Sequence, residues 1–154
     1  MPKIDSATAP RGSGTRYPAP FDEPCRKRAW LRLGDAAGLT QFGVNLVRLP
    51  PGAWSSQRHW HSHEDEFVYV LRGEVVLVDD NGDVVLGPGD SAGFPAGEEN
   101  GHCLQNRSEE DAELLVVGSR IDEDHGEYPD IDMKFGPGRY GGNASFLHKD
   151  GSPY

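Results

Sequence analysis

Cysteine is scarce in this chain. Cys25 and Cys103 are the only two among 154 residues. They match no metal-binding spacing such as C-x-x-C and make no disulfide framework, so a reducing compartment, the cytoplasm, is expected. No apolar run approaches the roughly 18 residues of a membrane span. The opening "MPKIDSATAPRGSGTRYPAP" has no apolar stretch and does not read as a secretory signal. Basic residues are few as well: 15 Lys and Arg face 25 acids, for a net charge of -10. A polyanion such as nucleic acid or an anionic membrane would be repelled over most of such a surface, so neither is an expected partner. The longest basic block, "RKR" at 26–28, reads as a solvated strand start. An amphipathic helix of three turns is nowhere to be found.

Turn-forming residues, by contrast, are plentiful, with 20 Gly and 12 Pro. They suit short strands joined by tight turns. Residues 1–27 are rich in Pro, Gly, Ser and charge and are expected to form an extended arm, disordered or laid over the domain. From 28 to 120 β-prone runs recur, among them "TQFGVNLVRL", "EFVYVLRG", "EVVLVDD" and "AELLVVGSR", separated by "PPG", "DDNGD" and "GPGD". An antiparallel sandwich or barrel follows. Within it, "EVVLVDDNGDVVLG" predicts a hairpin turning on Asn81-Gly82. Residues 121–154 form a Gly-rich, polar tail, expected to pack on the barrel or on a partner subunit.

The densest chemistry lies in "RHWHSHEDEF", residues 58–67, where three histidines and three acids share ten positions. In a strand, His59 and His61 point to the same face, about 6.6–6.8 Å apart, and can aim at one point inside a barrel. Residues 62–65 then turn, and Glu66 starts a returning strand whose two faces, Val68 and Val70 on one and Phe67, Tyr69 and Leu71 on the other, are both apolar. That pattern predicts burial on both sides. A carboxylate at the mouth of such a strand needs a partner, and a metal ion is a good one, because an unpaired buried charge is very costly.

The stretch "GAWSSQRHWHSHEDEFVYVLRG" resembles the first motif of the cupin superfamily: Gly, a spacer, His-x-His, four residues, Glu, six residues, Gly. "GDSAGFPAGEENGHCLQN" resembles the second, with Gly89, Pro95-x-Gly97, His102 and Asn106. Two spacers are longer than the pattern: six residues separate Gly52 from His59 instead of five, and four separate Gly97 from His102 instead of two. Each lies where a loop can absorb it. The motifs span residues 52–106, about a third of the chain. "RHWHSHEDEFVYVLRGE" and the closing "HKDGSPY" are also similar to small single-domain bacterial-type cupins.

The resemblance implies an all-β fold, the double-stranded β-helix or jelly-roll barrel, with extended N- and C-terminal arms. It implies His59, His61, Glu66 and His102 as ligands of one divalent transition metal ion, and that ligand set suits Fe, Mn, Ni, Co or Zn alike. Four protein ligands on a six-coordinate ion leave about two positions open, as reactive sites do. Gln57, on the face shared by His59 and His61, is a candidate substrate-binding residue; the alternative is a bond to a neighbouring loop. Phe94, which in cupins turns an apolar side chain inward, is a second. Val68 and Val70 would floor the pocket, and Trp54 would cap its mouth or serve as hydrophobic cover. His63, Glu64 and Asp65 are expected to be solvated, and Cys103 to be a buried, inert thiol. No catalytic residue beyond the ligands stands out. The functional expectation is a metal-dependent enzyme acting on a small polar or carboxylate-bearing molecule, by Lewis-acid isomerase or lyase chemistry or with dioxygen. A non-catalytic binding or sensor module is the alternative, and a barrel with a vestigial site a third reading. A homodimer is expected, since small cupins often pair through their sheets.

Overall fold

The structure, a computed structural model, describes residues 3–142 and 145–154. It is built almost wholly from antiparallel strands. The large sheet contains β1 (Arg11–Ser13), β2 (Ala29–Arg32), β3 (Phe42–Leu49), β4 (Glu66–Arg72), β7 (Ser91–Phe94) and β9 (Ala112–Ser119), in the order β1-β2-β3-β9-β4-β7. Opposite lies a smaller sheet, β6-β5-β8, made of β5 (Val75–Asp79), β6 (Gly82–Leu86) and β8 (Cys103–Gln105). Between them Leu49, Val70, Val75, Leu104 and Leu114 form the core, each almost wholly removed from water. The strand-rich, turn-rich middle of the sequence predicts an antiparallel sandwich or barrel, and the fold is the jelly-roll barrel that the cupin resemblance implies. The only α-helix among the described residues is a single turn, Leu33–Ala36. No helix among them is long and apolar enough to cross a membrane.

The arm and the tail are both tied to the rest of the fold. The N-terminal arm supplies β1, which pairs antiparallel with β2, and a 3-10 turn at Glu23–Cys25 that buries Cys25 completely. The tail supplies β10 (Gly126–Tyr128), β11 (Met133–Phe135) and β12 (Phe146–Leu147), a third sheet with its own core of Tyr128, Met133 and Phe135. Tyr17 and Phe21 of the arm pack into that core. Full burial of such a side chain is worth about 1.5–3 kcal/mol; Tyr17 and Phe21 are partly buried and contribute a share of that, so arm and tail hold one another against the barrel.

Gly126 shows how close the tail comes. A Cβ there would strike the Trp60 carbonyl and lie 2.6 Å from the Phe135 ring. Only glycine lets β10 approach the histidine segment at this distance.

Three expectations are corrected. The hairpin turns on Asp80-Asn81, because Asp79 pairs with Gly82. Asp79 draws the turn one residue earlier by accepting bonds from both the backbone and the side chain of Asn81, and within the hairpin turn only Gly82 takes a positive φ, +110°. The β4 strand is buried on one side only. Val68 and Val70 face the core, whereas Phe67, Tyr69 and Leu71 are about 40% exposed on the outer face of the large sheet, which no described residue covers. Glu64, expected in solvent, is 4% exposed.

Candidate metal centre

The centre is assembled by backbone pairing between segments far apart in sequence. His59 and His102 form an isolated antiparallel bridge with reciprocal hydrogen bonds of 3.1 and 2.9 Å. Their side chains therefore stand side by side, with ring centroids 4.8 Å apart. On the other edge of the same segment, the Trp60 and Ser62 amides donate to the Glu127 and His125 carbonyls of the tail. The His-x-His stretch is thus clamped between the second motif and β10. Glu66 opens β4 and pairs with Phe94 of β7 and Gly118 of β9.

All three imidazoles converge on Glu66. Its Oε2 lies 2.7 Å from His102 Nε2, 3.4 Å from His61 Nε2 and 3.5 Å from His59 Nε2. The ligand atoms of His59, His61 and Glu66 all fall within 4.8 Å of one another. Metal bonds of about 2.1 Å place neighbouring donors about 3.0–3.4 Å apart, according to geometry. The separations from His59 and His61 match the upper end of that range. His102, which here shares a hydrogen bond with Glu66, must separate from it by a few tenths of an ångström for both to bind one ion.

The ring orientations are fixed from behind. His59 Nδ1 donates to the Gln57 carbonyl at 2.9 Å, and His61 Nδ1 donates to Asp124 Oδ2 at 2.7 Å. Both leave Nε2 for the centre. Phe94 stacks flat on His102, with centroids 3.5 Å apart and planes 3° from parallel. Burial lowers the His59 pKa to about 4, so its imidazole is neutral at pH 7. Burial also opposes charge on His61, but the Glu66 carboxylate and the Asp124 bond outweigh it and lift the pKa to about 9, so without an ion His61 carries the positive charge facing Glu66, and a bound ion would take the place of its Nε2 proton. Burial would raise Glu66, yet charge on His61 and bonds from the histidines hold it well below the usual carboxylate range.

A cation fits this arrangement on two observations. His59 turns a lone pair toward an ionised oxygen 3.5 Å away, and two facing acceptors in a buried place repel. His61 Nε2 is buried with no hydrogen-bond partner among the described residues. Three imidazoles and a carboxylate are good donors for a first-row divalent ion, which would satisfy all four at once.

A second group, His61, Glu64 and Asp124, is also close enough to suggest a cation. There a cation is already in place, because Arg139 bonds to Glu64 and, at 3.1 Å, to Asp124, and His61 also bonds to Asp124. Glu64 further accepts from the Ile121 amide at 2.9 Å and the Tyr140 hydroxyl at 2.7 Å. Asp124 is 1% exposed and also accepts from the His63 amide at 2.9 Å. Burial alone would raise its pKa, but the His61 bond and the amide hold it below the ordinary value. The arrangement is a carboxylate–histidine support of the kind that orients metal-binding imidazoles.

The structure brings His59, His61, Glu66 and His102 together. Phe94 meets the centre as the backing of His102 and lines a side cavity of about 210 Å³. Gln57 turns away: its amide nitrogen donates to the Phe21 carbonyl at 2.7 Å and pins the arm. Trp54 bridges Gln105 and lies on neither cavity. Asp65 accepts from the Ala96 amide outside the cluster. Sequence reasoning missed Asp124, Arg139, Tyr140, Tyr17 and Tyr128. A metal-bound histidine needs a carboxylate or carbonyl behind it, but no fixed spacing says where in the chain that group lies.

The centre opens into a cavity of about 790 Å³, large enough for a small metabolite. Its walls come from the barrel, the arm and the tail together. Tyr128 lies against His59, with centroids 5.9 Å apart, and meets Tyr17 edge-on at 5.5 Å. Burial raises the Tyr17 pKa to about 12 and lifts that of Tyr128 well above the ordinary tyrosine value, so both hydroxyls keep their protons.

Comparison with known proteins agrees with this geometry. A family model described as the cupin domain matches residues 45–118. A crystal structure from Silicibacter pomeroyi, described as a sugar phosphate isomerase from a cupin superfamily, is 48% identical, covers 99% of this chain and 96% of its own, and superposes with a TM-score of 0.94. A structure from Acidithiobacillus ferrooxidans, assigned only provisionally as a sugar phosphate isomerase, is 33% identical, with 80% and 78% covered and a TM-score of 0.74. An oxalate-binding protein of Thermotoga maritima is 38% identical over 71 residues, which are 46% of this chain. The match spans 56% of that relative's length, little more than half.

Proposed function

The chain belongs to the cupin superfamily, and from that membership we propose that it is a metal-dependent isomerase acting on small phosphorylated hydroxy-carbonyl compounds. The observation that carries the reading is the convergence of three imidazoles on one ionised carboxylate at the end of a roomy cavity. The likeness to a sugar phosphate isomerase over nearly the whole chain supports the choice of reaction.

A divalent ion held by His59, His61, Glu66 and His102 supplies Lewis acidity toward a carbonyl oxygen and the hydroxyl beside it. The chain's own residues do the rest. Asp124 and the Gln57 carbonyl hold the histidine rings so that Nε2 faces inward. Tyr17 and Tyr128, both protonated, line the cavity and would supply hydroxyl donors to substrate oxygens. Phe135 and Phe146, on the same wall, exclude water from the reacting carbons.

The test is direct. Protein loaded separately with Mn, Fe, Co, Ni and Zn is incubated in D₂O with aldose and ketose phosphates and followed by proton NMR. Interconversion, with deuterium entering beside the carbonyl and turnover lost on chelation, is expected. Tight binding without turnover for every metal would refute the enzyme reading. It would favour a non-catalytic binder, toward which the oxalate-binding relative points.

The same reading takes two copies as the working unit. Phe67, Tyr69 and Leu71 leave an uncovered apolar strip on the large sheet. Ion pairs at its rim, Arg72–Glu113 and Arg48–Asp111, leave no net charge there to repel a second copy. Light scattering is expected to give twice the chain mass; the mass of one chain would exclude the pairing.

A further inference from the structure

The large cavity concentrates positive charge in a chain whose net charge is -10. Arg16, Arg28, Arg32 and Arg139 line it against a single acid, Glu66. Two of the four are already answered, Arg139 by Glu64 and Asp124, and Arg32 by Asp35 at 3.8 Å. Arg28 has only neutral partners among the described residues. Its Nε donates to the Gly14 carbonyl at 2.8 Å, one Nη donates to the Ser55 carbonyl, and its guanidinium lies 5.5 Å over the Trp30 ring. These contacts fix the plane of the fork and leave the other Nη without a hydrogen-bond partner among the described residues. Arg16 makes no hydrogen bond or ion pair with any described residue. Ser13 and Thr15 line the same cavity, and the Thr15 hydroxyl, which accepts from the Tyr17 amide at 3.2 Å, keeps its own proton to donate.

A fixed guanidinium without a carboxylate, inside a cavity of an acidic protein, is half of an ion pair. We propose that Arg28 and Arg16, with the Ser13 and Thr15 hydroxyls, form the subsite for the phosphate monoester of the substrate. A phosphate dianion offers three oxygens, which two guanidiniums and neighbouring hydroxyls can share; a carboxylate has only two. The placement suits a substrate that spans the cavity. Tyr17 follows Arg16 in the chain and touches Tyr128, which touches His59, so two aromatic rings separate the subsite from the metal centre. The inference rests on the isomerase reading only in taking the far end of the same molecule to the metal. Anion binding itself requires no metal.

Isothermal titration of the full chain, metal-loaded and metal-stripped, tests this with inorganic phosphate, ribose 5-phosphate, ribose and malonate. Ribose 5-phosphate is expected to bind at least tenfold more tightly than ribose. Arg28→Gln is expected to weaken both phosphate ligands by about 10- to 100-fold, the loss of one or two charge-assisted bonds, with metal content unchanged. Arg28→Lys retains the charge but not the fork, so it falls in between. Because Arg28 also ties the arm to the barrel, Arg16→Gln serves as the second variant; it disturbs no structural contact and is still expected to weaken phosphate several-fold. Equal affinity for phosphate in wild type and both glutamine variants would overturn the subsite, as would ribose binding as tightly as its phosphate. Malonate binding more tightly than phosphate, with the same arginine dependence, would overturn the phosphate assignment. Phosphate binding that survives metal stripping and His59→Ala, without turnover of any sugar phosphate, would leave the subsite standing while the isomerase reading fails.

Discussion

Purified His59→Ala, His61→Ala and His102→Ala variants are each expected to lose nearly all bound metal, from about one ion per chain to a small fraction, and with it all turnover. Four-ligand zinc sites bind with about 10–16 kcal/mol at neutral pH. A quarter of that is about 2.5–4 kcal/mol, or about 70- to 900-fold in affinity. Asp124→Asn is expected to do less, about 10- to 100-fold. Asparagine can still accept the His61 Nδ1 proton, but it no longer balances Arg139 or polarises the imidazole. Elemental analysis after equilibration with a calibrated chelator reads all four. The expected order is wild type, then Asp124→Asn, then the histidine variants. Wild-type metal content in any one histidine variant would remove that residue from the ligand set.

Gly126→Ala is expected to be the most disruptive substitution of a single methyl group. The added carbon would overlap the Trp60 carbonyl and press on Phe135. Neither can yield easily: Trp60 lies in the histidine segment, and Phe135 is 5% exposed in the core of the tail. Overpacking usually costs about 1–3 kcal/mol. A clash with backbone belongs at or above the top of that range, so we expect more than about 3 kcal/mol in urea unfolding and a loosened metal centre. Gly136→Ala is the control, because a Cβ there meets nothing within 4 Å; it is expected to change stability by less than about 0.5 kcal/mol. Similar stabilities for the two variants would mean that the tail does not press on the histidine segment as described.

Much of the barrel was legible in the sequence, because strand alternation and turn chemistry are local. "EFVYVLRG" and "AELLVVGSR" became β4 and β9 almost as written. The misreadings came where a local pattern had a non-local outcome. The Phe67, Tyr69 and Leu71 row looked buried because it is apolar, but burial depends on a covering layer that one chain does not supply. The turn at Asp80-Asn81 was placed one residue late because the capping side chain of Asp79 outweighed the Asn-Gly signal. At the site, the histidines and Glu66 were marked by spacing within two short motifs. Asp124 and Arg139 were not, since a charged tail residue looks the same in sequence whether it is solvated or seated behind an imidazole. Glu64 was misjudged for the same reason, as its partners Arg139 and Tyr140 lie 75 and 76 positions away.

The carboxylate of Asp124 reaches back 63 positions to seat the His61 ring, and this bears on how the chain can be divided or recombined. A breakpoint just after the last barrel strand would transplant all four metal donors and leave behind the group that turns one of them inward. Such a chimera would inherit the jelly roll with a weakened grip on its ion. The heritable module is the barrel together with the strap that crosses its mouth, so splice points for exchanging this centre between relatives belong beyond Tyr140.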